Sequence, residues 1–133
     1  MLNRLIKFTK KLGIEDQVGF LPETKNVHNY LSTLDIFILS SYMEGTPNVL
    51  FEAQNMKLPI FSTNVGGINE CVVKNNTCYF INSRNYKIAA RVIIDRLSKK
   101  SFYKNRNFNK VIQKLNKFHS NKVYKKIKML YSK

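Results

Sequence analysis

The chain contains no tryptophan, and only two cysteines, two histidines and three prolines among 133 residues. Cys71 and Cys78 are six residues apart, no Cys-x-x-Cys unit exists, and His28 and His119 are remote in sequence. This argues against a zinc site and for reduced thiols in a cytosolic protein. No run approaches the roughly 20 apolar residues of a membrane span, and the apolar stretch within Met1 to Phe8 is too broken for a signal peptide. Acid is also scarce, with 8 Asp and Glu against 23 Lys and Arg and a net charge of +15. The imbalance is local. Residues 1–95 carry 10 cations and all 8 acids, whereas residues 96–133 carry 13 cations and none. A nearly neutral globular part is therefore followed by a basic tail.

The length suits one domain that buries roughly 68% of its unfolded surface. Leu2, Leu5, Ile6, Thr9 and Leu12 share a helical face, and Gly13 is a suitable stop. Val18-Gly19-Phe20-Leu21 reads as a short strand ended by Pro22. Asn26 is a candidate N-cap for a helix carrying Val27, Tyr30, Leu31 and Leu34. Ile36-Phe37-Ile38-Leu39 is continuous, short and rich in β-branched and aromatic residues, so a fully buried parallel strand is expected. Thr46 as N-cap and Pro47 at N1 open a helix over about residues 47–56. A strand at Pro59 to Thr63, a Gly66-Gly67 loop, a short helix from Ile68 to Val73, a strand at Cys78 to Ile81 and a helix over about 85–98 complete the pattern. The alternation predicts an α/β fold with a parallel sheet flanked by helices over residues 1–98. Residues 99–133 read as a basic helical tail.

Ligands of open parallel sheets bind beyond the carboxyl ends of the strands. Residues 40–46 and 64–68 occupy such ends. The first N–H groups of the helix near Pro47 lack intrahelical partners, and its dipole favours an anion. The donors there are Thr46, Asn48 and Val49, because proline has no N–H. Gly45, Gly66 and Gly67 permit close backbone approach. Glu44 and Glu52 flank the helix start and suit hydrogen bonds from sugar hydroxyls. A phosphorylated, hydroxyl-rich ligand such as a nucleotide sugar needs this set of groups. Read as structure alone, the same acids are a solvated face and the glycines a common turn.

The segment Glu44-Gly45-Thr46-Pro47-Asn48-Val49-Leu50-Phe51-Glu52-Ala53 resembles the Glu-x7-Glu motif of group 1 glycosyltransferases, retaining enzymes of GT-B fold that use nucleotide-sugar donors. Val18 to Leu21, Leu34 to Ser41, Leu58-Pro59-Ile60 and Val65 to Glu70 resemble the family's neighbouring landmarks in the same order, from about residue 12 to 98. The resemblance implies the Rossmann-like C-terminal half of a GT-B fold. It implies Glu44 on the donor sugar, Glu52 on the nucleoside ribose, and the backbone of Gly45, Thr46, Pro47 and Asn48 close to sugar and phosphates. Gly66 and Gly67 would shape the pocket wall, and Glu70 would either line it or cap the following helix. No cofactor beyond the donor is implied, no residue is assigned as general base, and no Asp-x-Asp pair offers a metal site. The sequence departs from the family at Asn75-Asn76-Thr77, where an Asn-Gly turn is usual. It also lacks the strand and basic loop that open the family's C-terminal half, and the N-terminal acceptor domain, so the donor-binding domain is expected to be incomplete.

The implied role is the donor-binding part of a transferase for cell-surface polysaccharide or lipopolysaccharide, acting on a glycan or lipid-linked acceptor. The alternatives are a non-catalytic donor-binding module, or a split-gene remnant, needing a separately encoded N-terminal GT-B domain. A basic nucleic-acid-binding protein is a further alternative that no motif supports. The tail at 96–133 suits a solvated face of packed helices or attraction to an anionic membrane surface. The expected location is cytoplasmic, peripheral to the inner face of the plasma membrane.

Overall fold

The computed structural model describes residues 1–74, 77–82, 84–99 and 102. The expected helices of the tail, and the turn at Asn75 and Asn76, lie outside the described residues. Five helices and three strands follow one another among the described residues: α1 (Leu2–Leu12), α2 (Val27–Leu31), β1 (Phe37–Leu39), α3 (Asn48–Asn55), β2 (Ile60–Thr63), α4 (Ile68–Cys71), β3 (Cys78–Ile81) and α5 (Tyr86–Leu97). A short 3-10 turn at Glu15–Gln17 follows α1.

The strands form one parallel sheet of order β1-β2-β3. Phe37 pairs with Ile60, and Ile60 with Cys78, so Phe37, Ile60 and Cys78 stand in one row. Strand side chains alternate between faces, and the two faces carry different cores. On the first, Ile60 and Cys78 pack with Leu31 of α2, Leu50 and Ala53 of α3, and Ile68 and Cys71 of α4. On the second, Phe61 and Ile81 pack with Ala89 of α5 and with Phe102, supported by Val92, Ile93 and Leu97. Phe61, Tyr79 and Phe102 form a three-ring cluster with centroids 5.3–5.8 Å apart. The Arg96 guanidinium lies 5.0 Å from the Tyr79 ring centre.

Helix ends follow local chemistry. Gly13 takes φ 65° after α1, and the N–H groups of Gly13 and Ile14 return to the carbonyls of Lys10 and Thr9, a left-handed stop. Asn85 caps α5, its side chain accepting from the Ile88 N–H at 3.1 Å. Near the other end of α5, Lys99 lies 2.8 Å from Asp95. The hydrogen bond from Lys99, with the charges of Lys99 and Arg96, holds the Asp95 carboxyl below its ordinary range.

Several sequence expectations are corrected. Residues 18–21 form no strand, because they join no ladder among the described residues. β1 is an edge strand rather than a fully buried one. Among the described residues it is paired only to β2, and the second-face core stops short of it, leaving Ile38 46% exposed. α2 ends at Leu31, so Leu34 falls outside it, and Asn26 makes no side-chain cap. α4 stops at Cys71, where Val72 turns to extended backbone at φ −118°.

Phe61→Ala is expected to cost about 3–5 kcal/mol, since it opens the ring cluster. Ile38→Ala should cost only about 1 kcal/mol, because half of its surface is already in water. Urea denaturation of the two variants measures the difference.

Candidate functional site

The C-terminal ends of β1 and β2 lead into two loops that lie directly against each other. Thr63, the last residue of β2, donates its hydroxyl to the Ser41 carbonyl at 2.7 Å. The Ser41 hydroxyl in turn donates to Oε1 of Glu44 at 2.6 Å. Beyond this pair the Gly67 N–H donates to the Gly45 carbonyl at 2.9 Å. The loop that carries Glu44 is therefore tied at one end to β2 and at the other to the loop after β2.

The contact requires glycine on the second loop. Gly66 adopts φ 53°, and a Cβ there would overlap the Glu44 carbonyl oxygen. A Cβ on Gly67 would stand 2.6 Å from the Gly45 carbonyl oxygen. Main-chain atoms cannot yield as a flexible side chain can, so the two backbones approach this closely only without side chains between them. Gly45, by contrast, has open space where its Cβ would be.

α3 begins immediately beyond these loops. Pro47 occupies the N-cap position with extended φ −72° and ψ 112°, rather than N1, and α3 runs Asn48–Asn55. Thr46 is not the cap. Its hydroxyl lies against the glycine loop, 3.4 Å from where a Cβ of Gly67 would stand, and no side chain caps α3. The Leu50 N–H is bonded to the Pro47 carbonyl at 3.1 Å. The N–H groups of Asn48 and Val49 come before that first bond, where a helix dipole attracts negative charge.

Of the residues singled out in sequence, Glu44, Gly45, Thr46, Gly66 and Gly67 are brought together by these contacts. Pro47 is buried and Asn48 exposed at the helix start. Glu44 is half-buried, whereas Glu52 on α3 and Glu70 on α4 are exposed. Among the described residues neither Glu52 nor Glu70 has a side-chain bond to the apposed loops, and α4 has no side-chain cap for Glu70 to supply. Ser41 and Thr63 were not anticipated as partners of the site. The Ser-x-x-Glu spacing of Ser41 and Glu44 was a signal for the first. For Thr63 the hint was weaker, a polar residue closing a buried strand. Gln54 was also missed. Buried in α3, it donates from Nε2 to the Leu50 and Cys71 carbonyls, both at 3.0 Å.

These features define an α/β domain with two glycine-apposed loops and a helix start at one end of a parallel sheet. The family model described as glycosyl transferases group 1 matches residues 1–115. The chain belongs to that family. It is similar to the Vi polysaccharide biosynthesis protein VipC/TviE of Salmonella typhi, with 40% identity over 68 residues, covering 51% of the chain and 12% of that protein. It is also similar to the capsular polysaccharide biosynthesis glycosyltransferase CapM of Staphylococcus aureus, with 25% identity over 104 residues, covering 78% of the chain and 27% of that protein. The chain thus corresponds to well under two thirds of these relatives' length. In fold it resembles the C-terminal domain of the group 1 family glycosyl transferase LpcC from Francisella tularensis. That likeness has a TM-score of 0.68 at 20% identity, over 84% of the chain and 60% of the solved domain.

Gly66→Ala is expected to destabilise the fold by about 3 kcal/mol or more, through positive φ and backbone overlap together. Gly45→Ala should stay within about 1 kcal/mol of the unaltered chain. Chemical denaturation of both variants tests whether loop apposition, and not glycine content, is what matters.

Proposed function

We propose that this chain forms the donor side of a group 1 glycosyltransferase that moves a sugar from a nucleotide sugar, with retention at the anomeric carbon. The acceptor is a glycan or lipid-linked glycan of a cell-surface polysaccharide. The observation that supports this most is the Ser41–Glu44 hydrogen bond within loops held together by Gly66 and Gly67. Oε1 of Glu44 is engaged by Ser41, so the carboxylate is presented in one orientation, with Oε2 left to accept from a hydroxyl of the donor sugar.

In this reading Glu52 accepts from the nucleoside ribose. The backbone of Gly45 to Asn48 approaches the sugar and diphosphate, with the Asn48 and Val49 N–H groups aimed at the anion. Glu70 borders the site from α4. Ser41 and Thr63 are positioning residues that act through Glu44. Because the chain corresponds to 12% and 27% of the two relatives' length, we assign the whole transfer to these residues acting with an N-terminal GT-B domain. The polysaccharide assignment follows the names of those relatives. The 13 cations of residues 96–133 are assigned to the anionic inner face of the membrane, each worth about 1 kcal/mol near it.

Isothermal titration with UDP- and GDP-sugars tests donor recognition. Glu52→Ala should weaken binding roughly tenfold to a hundredfold, matching one charge-assisted hydrogen bond of about 1.5–3 kcal/mol. Ser41→Ala should weaken it less, and Ser41→Thr should restore it. No heat of binding up to millimolar donor, for the chain alone or with an N-terminal GT-B domain, overturns the reading.

A further inference from the structure

The first helix presents an apolar face that the rest of the described structure covers only in part. At about 100° per residue, Phe8, Leu12, Leu5, Thr9, Leu2 and Ile6 follow one another around α1 over an arc of roughly 160°. Thr9 is buried and Ile6 half-buried, so the protein packs against one flank of the arc. The other flank is open, with Leu5 47%, Leu12 53% and Phe8 56% exposed. Leu2, at 53%, is exposed as well. Asn3, Arg4, Lys7, Lys10 and Lys11 fill the remainder of the circumference, and α1 holds no acid. Arg4 and Lys11 fall directly beside Phe8 on the open flank.

We infer that α1 is a docking surface for an anionic lipid bilayer, lying in the plane of the interface with Leu5, Phe8 and Leu12 in the acyl boundary and Arg4 and Lys11 at the headgroups. An apolar stripe bordered by cations is the pattern such helices show. Charge complementarity selects the lipid over a second copy of this chain, since α1 carries Arg4, Lys7, Lys10 and Lys11 with no acid, and two such faces repel each other. Among the described residues no helix is long and apolar enough to cross a membrane, so α1 lies on the surface and does not span. This inference stands apart from the donor-site reading. It also differs in mechanism from attraction through the basic tail. A tail held by charge alone releases at high salt, where the screening length falls to about 3 Å. Inserted apolar side chains persist.

The absence of tryptophan makes a clean probe possible. Phe8→Trp places the sole indole on the open flank. With phosphatidylcholine vesicles containing phosphatidylglycerol, its emission is expected to shift to the blue and to be quenched by brominated acyl chains. Both signals should survive molar salt once binding is established. The double variant L5S/L12S, altered only at exposed positions, should lose at least tenfold in salt-resistant vesicle partitioning while keeping its circular dichroism spectrum. Three results overturn the proposal. One is unchanged partitioning of the double variant. Another is an indole emission already blue-shifted without lipid, which shows that polypeptide, and not lipid, covers this face. The third is quenching that vanishes in molar salt, which assigns vesicle capture to the charge of the tail rather than to α1.

Discussion

The contact of two backbones without side chains between them is the constraint on which the rest of this molecule's arrangement depends. Gly66 and Gly67 lie against the carbonyls of Glu44 and Gly45. The closest approach of the loop after β1 to the start of α4 is thereby set by main-chain atoms. Main-chain contacts of this kind have no rotamers to change. Side chains that depend on them, such as Glu44 with its Ser41 partner, inherit a fixed position. The sheet below supplies the stiffness. Each residue of β2 is buried, and its last side chain, Thr63, reaches across to the Ser41 carbonyl.

The same region is notable for its electrostatics. Residues 40–48 and 64–70 contain no lysine or arginine, and the carboxylates are those of Glu44 and Glu70. An anionic ligand at this end of the sheet would meet no cationic side chain from these loops, and a helix start contributes about half a unit of positive charge. A diphosphate carries several times that charge. On the proposed reading, the balance of its neutralisation must come from outside these two loops. A division of labour follows, in which hydroxyl recognition is local and charge recognition is not.

Much of this architecture was legible in the residues. The Ile60 to Thr63 and Cys78 to Ile81 segments are strands because both are short and rich in β-branched and aromatic residues. α1 was marked by its periodicity and by Gly13 at its end, and α5 by its periodicity. The two strand expectations that failed did so for one physical reason, that strand pairing is not encoded in the strand. Val18 to Leu21 has strand-like composition but joins no ladder among the described residues, and Ile36 to Leu39 has the composition of a central strand but sits at an edge. Family resemblance drew attention to Glu44 and the two glycines, and the backbone overlap explains why glycine is required there. The Ser41–Glu44 contact left a trace in its spacing, but those of Thr63 and Gln54 did not, because they reach carbonyls distant in sequence that no pattern displays.

Gln54 gives the site a property beyond its chemistry. Its amide grips the carbonyls of Leu50 in α3 and Cys71 in α4, so the helix that bears Glu52 and the helix that follows the glycine loop are fastened to each other beneath the surface. Together with the loop contact above, this makes a two-point attachment. Two such attachments oppose relative movement of α3, α4 and the glycine loop. Glu44, Glu52 and the glycine loop are thereby tied into one unit, beneath the surface through Gln54 and above it through Gly66 and Gly67.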